Sequence, residues 1–129
     1  MTSASDSRAE LLLADDGVAS CTVAELGTCV QVTAAGELDL ATLPLVREAA
    51  ERAAAAPGRT VVVDLCGVTF ADTGVVHLAM GLDRRLRAHA GELIVVAPPR
   101  IAALFAHAGA DGLTLVEDAP RPAAGGPAR

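Results

Sequence analysis

The sequence predicts an α/β domain: a leading β-hairpin, then strand–helix repeats, giving a mixed, mostly parallel sheet with helices packed on it. Three observations predict this. Val61–Leu65 is an apolar run interrupted only by Asp64, rich in β-branched residues and too short for a helix, as expected of a strand buried on both faces. Beyond it the period becomes helical. Val75, Leu78, Ala79, Leu82 and Leu86 share one face, while Asp83, Arg84, Arg85 and Arg87 mostly take the other. A second strand–helix pair then follows at Glu92–Ala97 and Pro99–Ala108, and right-handed crossovers make such strands parallel.

The elements follow in order. Residues 1–9 are small and polar and predict a disordered segment ahead of a single domain spanning 10–118. Glu10–Leu13 fits either a first strand or a piece packed on the sheet edge. Val18–Leu26 alternates in part and Cys29–Ala34 alternates again, so the two make a hairpin turning at Gly27. Gly36–Leu40 leads to a helix from about Thr42 to Ala56, with Thr42 as N-cap, Pro44 in the first turn and Pro57-Gly58 as the stop. Asp72 caps the central helix, whose start is the Asp72-Thr73-Gly74 turn, and Gly91 caps its end. Leu113–Val116 is a last short strand, and 119–129 is a flexible Pro/Ala/Gly tail. The order is β-β-α-β-α-β-α-β-α or a close variant.

Bulk properties narrow the function. The chain has 129 residues, 52% hydrophobic and 2% aromatic, so one core of Val, Leu and Ala must hold it. A net charge of -6 argues against a nucleic-acid surface. No run reaches the ~18 apolar residues of a membrane span, and the first residues lack the pattern of a secretion signal. Cys21, Cys29 and Cys66 have no metal spacing; their odd number and apolar surroundings predict reduced, buried thiols and a cytoplasmic setting.

Catalytic readings fare poorly. Asp72-Thr73-Gly74 is the triplet of aspartic proteases, but that chemistry needs two copies in an all-β fold, and here a strong helix follows. Cys66 stands near a strand end, yet no spacing pairs His77, His89 or His107 with it. His77 and Asp72 make no metal site, and no phosphate-binding glycine loop or lysine is present. Arg84, Arg85 and Arg87 read as a solvated helix face or a contact for an acidic partner. Asp64, within an apolar strand, reads as a carboxylate hydrogen-bonded to a neighbouring loop's amides. Glu37 and Asp39 are turn residues or caps, and with Asp72 they make an acidic rim if their two loops are adjacent. No catalytic residue, cofactor or metal is expected.

At two stretches the residues resemble a family. Gly36-Glu37-Leu38-Asp39, followed by Thr42 and a helix, resembles the G-E-L-D segment of STAS domains. Val62–Asp72, reading VVDLCGVTFAD, resembles their central strand and loop. The likeness runs from about Val18 to Glu117, and the nearest group is the bacterial anti-sigma factor antagonists. The resemblance implies a small STAS-type α/β domain that binds an anti-sigma factor with a kinase-like fold and so regulates sigma-factor-dependent transcription. It implies no direct nucleic-acid or membrane contact, and it leaves a homodimer open. The partner surface it implies lies on Glu37–Leu40 and Asp72–Val76, with Glu37, Leu38, Asp39, Asp72, Thr73, Gly74, Val75 and Val76 as its candidate residues. The family pattern Asp-Ser-Ser-Gly meets a departure here. Without a gap, Gly74 falls on the usual phosphoacceptor serine, so phospho-control is weakened, absent or moved to Thr73. The other implied role is an accessory or scaffold subunit of a signalling assembly or a lipid-transport ABC system.

Overall fold

The computed structural model describes residues 10–15, 19–110 and 112–117. The apolar run around Val61 becomes the middle of β4 (Thr60–Ala71), in a six-stranded sheet ordered β1-β2-β3-β4-β5-β6. Val61, Val62, Val63 and Leu65 are all buried, as a strand flanked on both sides requires. β1 (Glu10–Asp15), β2 (Ala19–Leu26) and β3 (Cys29–Leu38) run antiparallel, one to the next. The stretch at Glu10 is thus a strand, on the edge of the sheet. Leu26 pairs with Cys29 across a Gly27-Thr28 turn, and Gly27 takes φ 71, the left-handed value that a two-residue hairpin needs at its first position. From β3 onward the pairing is parallel, through β4, β5 (Glu92–Val96) and β6 (Thr114–Val116).

Each parallel crossover carries a helix: α1 (Leu43–Ala53), α2 (Thr73–Ala88) and α3 (Pro99–His107). All three cover one face of the sheet. Val46 of α1, Val75, Ala79 and Leu82 of α2, and Phe105 of α3 meet Val63, Leu65 and Val95 around one small apolar void. With so few aromatics, Phe105 is the largest fully buried side chain. The expected segment 1–9, the tail 119–129 and any helix after β6 lie outside the described residues.

Three expectations change. β3 and β4 were expected to end near Ala34 and Leu65, but both run on, paired, as far as Leu38 and Ala71. Two register irregularities, at Thr33/Ala35 and Gly36/Glu37, disguise this as loop sequence. Gly36 takes φ 93 there, and a Cβ on Gly67 would stand 3.0 Å from that of Ala35. The second change is at the end of α2. Ala90, at φ 63, takes the left-handed position expected of Gly91. The Gly91 amide instead donates to Leu86 O at 2.7 Å, and its missing side chain admits the Arg59 carbonyl, which a Cβ would meet at 2.7 Å. Third, α1 ends at Ala53 rather than Ala56, with the Ala54 amide closing on Ala50 O.

Candidate functional site

The continued pairing of β3 and β4 decides where the site lies. β5 leaves β4 after Asp64, opposite Val96, whereas β3 stays to the end. The turn after β3 and the turn after β4 therefore emerge side by side. The Asp72 amide donates to Leu38 O at 3.3 Å and joins them. Glu37, Asp39 and Asp72 consequently share one rim.

Each turn is built by its own acidic residue. The Asp39 carboxylate accepts the amides of Ala41 at 3.0 Å and Thr42 at 3.2 Å, and the Asp39 carbonyl accepts the Leu43 amide at 2.8 Å. Thr42 occupies the N-cap position but its side chain does not cap α1, contrary to expectation. Its buried hydroxyl donates to Glu37 O at 2.6 Å and accepts the Asp39 amide at 3.0 Å, folding the turn back onto β3. The reason is local: Asp39 already holds the free amides of the turn, so the hydroxyl is left for the strand's last carbonyls. Asp72 does cap α2 as expected, its Oδ1 accepting the Gly74 amide at 2.9 Å.

The rim divides into what is offered and what supports it. Glu37 and Thr73 are exposed; Asp39, Asp72 and Gly74 are half-buried. Leu38, Val75 and Val76 are in the core, so they hold the rim from beneath and present no side chain to a partner. Gly74 packs against α1: a Cβ there would stand 2.9 Å from Leu43 Cδ2 and 3.1 Å from Asp72 Oδ1.

Phe70 and Arg100 were missed in the sequence, whereas Leu40 falls within the expected segment Glu37–Leu40. Leu40, at the tip of the first turn, is 76% exposed, and Phe70 is 53% exposed. Leu40 follows Asp39 in a turn, where a large apolar side chain has no strand to bury it; that was the available signal. Phe70 should share the buried side of Val68 by alternation, but residues 65–71 have lost β5 as a neighbour. Arg100 fills part of that gap. Its guanidinium donates to Thr69 O at 2.9 Å and Val68 O at 3.1 Å, supplying donors that the departed strand would have supplied.

The other singled-out residues fall away from the rim. Cys66 is exposed, not buried, because β4 has no β5 partner at that point. Cys21 is buried and Cys29 partly so; burial pushes the Cys21 thiol up to about 11 and raises that of Cys29. Asp64 accepts the Cys66 amide at 2.9 Å and a longer contact of 3.5 Å from Gln31, so it braces its own strand and β3 rather than a neighbouring loop. His77, His89 and His107 are exposed. Among the described residues no group of three or more His, Cys, Asp or Glu could hold a metal, and no helix is long and apolar enough to cross a membrane.

A mixed sheet with three helices on one face, and two joined turns at the mouth of β3 and β4, is the architecture of a STAS domain. Residues 21–117 match the family described as "Mlab, STAS domain", and the chain belongs to it. Among solved structures it is similar to an anti-sigma factor antagonist from Mycobacterium paratuberculosis, with 19% identity, TM-score 0.58, and 91% of this chain and 92% of that one covered. It is also similar to the anti-sigma factor antagonist SpoIIAA in its unphosphorylated form, with 23% identity, TM-score 0.60, and 85% and 89% covered. At these identities the likeness is one of fold. No curated protein matches the sequence.

Proposed function

We propose that this protein is an anti-sigma factor antagonist, a docking domain of the bacterial cytoplasm that performs no reaction itself. Its partner is an anti-sigma factor with a serine/threonine kinase fold, and capture of that factor releases the sigma factor for transcription. The functional unit is the domain at 10–118, acting without cofactor or metal. One observation carries the reading: the 39–42 turn and the start of α2 are hydrogen-bonded neighbours, from Asp72 N to Leu38 O, so one partner surface can grip both. Glu37, Asp39, Asp72 and Thr73, with the apolar Leu40 at the tip, supply its charge and its contact area. Support also comes from the two antagonists that share the fold.

Phosphorylation, where it acts, falls on Thr73. This residue is exposed in the first turn of α2, whereas Gly74 offers no hydroxyl. A phosphate there adds about −1.5 to −2 charges beside Asp72, compatible with the helix N-terminus but repelled by an acidic or tightly fitted partner.

Two measurements test this. Asp72→Arg should abolish pull-down by the cognate anti-sigma factor; undiminished capture removes the rim from the account. Incubation with that kinase, followed by mass spectrometry, should find phosphate on Thr73 or none, and stoichiometric phosphate on another residue contradicts the assignment. A second reading, an accessory subunit of another STAS-containing complex such as a lipid-transport ABC system, is favoured by Gly74 and by the name of the matched family. Co-purification with an ATPase and membrane components instead of a kinase-fold protein would select it.

A further inference from the structure

The α1–α2 seam holds a second feature. Both helices start from the rim, with Leu43 against Gly74 at the top. Below that contact they part to leave a furrow of about 260 Å³, lined by Arg47 and Glu51 of α1 and by His77, Leu78, Gly81 and Arg85 of α2. Its charge is unusual for a chain of net charge -6. Among the described residues, the guanidinium groups of Arg52, Arg59 and Arg87 meet carboxylates, and that of Arg100 meets carbonyls. Those of Arg47, Arg84 and Arg85 have no such partner, and two of these three line the furrow. Glu51 stands one turn along from Arg47 but makes no ion pair with it.

We infer that this furrow docks an acidic helix of the partner protein, one with two carboxylates two turns apart. The spacing follows from α2. His77 and Arg85 are about 12 Å apart along the axis at 1.5 Å per residue, and Arg47 of α1 lines the same furrow. Carboxylates seven or eight residues apart on one helix face have the same separation. Gly81 leaves open space between His77 and Arg85, where a small partner residue fits, and Glu51 on α1 favours a lysine one turn from the first carboxylate. The furrow is smaller than the roughly 300–1,000 Å³ of small-molecule pockets, and its charged liners are exposed, which fits side chains of a protein rather than an enclosed ligand. The inference rests on the rim being a protein-docking surface, since the furrow opens at its foot.

The probe is a fluorescein-labelled, helix-stabilised peptide with Glu at positions i and i+7, Lys at i+4 and alanine elsewhere, added to the full chain at low salt. Binding should shift amides of residues 47–51 and 77–85 in ¹⁵N spectra. Arg47→Glu with Arg85→Glu should weaken it roughly tenfold. A peptide with Lys in place of both Glu should bind that double variant better than the native protein, and Arg84→Glu should change nothing. Shifts confined to other surfaces, indifference to the double reversal, or binding of phosphatidylglycerol vesicles through these arginines without peptide binding would each overturn the inference. Asp72→Arg should leave peptide affinity intact. Failure of the peptide while Asp72 still governs capture by the anti-sigma factor sinks the furrow alone; the converse sinks the rim alone.

Discussion

The Cδ2 methyl of Leu43 lies over Gly74 so closely that a Cβ on the glycine would stand 2.9 Å from it. The first residue of α1 thus occupies the space that a side chain at the second residue of α2 would need. This contact ties the two turns of the rim together from the helix side, as the Asp72–Leu38 hydrogen bond does from the strand side.

Installing a hydroxyl at that position should therefore depend on Leu43. In the native background Gly74→Ser forces the leucine methyl aside, at a cost of about 1 kcal/mol in urea unfolding. In a Leu43→Ala background the tighter contact is gone, and only the Asp72 Oδ1 atom, 3.1 Å from a Cβ there, has to give by a few tenths of an ångström. There Gly74→Ser should stabilise by about 0.5 kcal/mol, because a helical glycine is replaced at a residue whose φ is ordinary. A sign that does not reverse between the two backgrounds would show that Leu43 does not govern the position.

The end of α2 offers a second test. Ala90 takes φ 63, a conformation that costs an L-residue about 1 kcal/mol and glycine almost nothing. Ala90→Gly should raise the urea midpoint, with a net gain of about 0.5 kcal/mol once the freer unfolded chain is counted. Gly91→Ala should do the opposite, by about 2 kcal/mol or more, since its Cβ would meet a backbone carbonyl, that of Arg59, at 2.7 Å.

The cysteines predict a dependence on alkaline pH. Cys21 is fully buried and its thiol is pushed up to about 11, so the folded state keeps a proton that the unfolded state releases near its ordinary 9.0. Stability is whole below pH 9 and falls between pH 9 and 11, by on the order of 2 kcal/mol, because there the native state binds more protons. Cys29, raised in the same direction, adds to the fall. Cys21→Ala should flatten the stability profile measured by urea melts across that window. At pH 8 a maleimide should label exposed Cys66 first and Cys21 only on unfolding.

Arg100 can be tested through α3 and β4 together. Arg100→Ala removes donors from Val68 O and Thr69 O, which water can only partly replace. A loss of about 1 kcal/mol is expected, with faster hydrogen exchange along residues 66–71 and in the first turn of α3. Unchanged exchange there would mean the guanidinium contributes nothing to the order of the strand end.

Much of this architecture could be read from residue pattern, for reasons visible at particular positions. Val61–Leu65 announced a covered strand because, Asp64 apart, both of its faces are apolar. The Asp72 cap and the helical period from Val75 are local and need no tertiary knowledge. What escaped is non-local. The extension of β3 and β4 was hidden because Gly36 and Gly67, which read as turn residues, serve a bulged pairing and a close approach. Cys66 looked buried because nothing local reveals that β5 stops at Val96. For the rim, Glu37, Asp39 and Asp72 were legible as candidates, but their adjacency required the pairing of Leu38 with Ala71. Leu38, Val75 and Val76 join them by motif alone, and burial removes their side chains from the surface.

The departure of β5 leaves a last consequence, for how the protein behaves in a crowded solution. A bare strand margin is a template on which a foreign chain can add itself, copy after copy. Arg100 occupies that margin with a charged group that needs to stay wet. The domain thus carries a stopper against unwanted sheet growth, set a few residues from the rim.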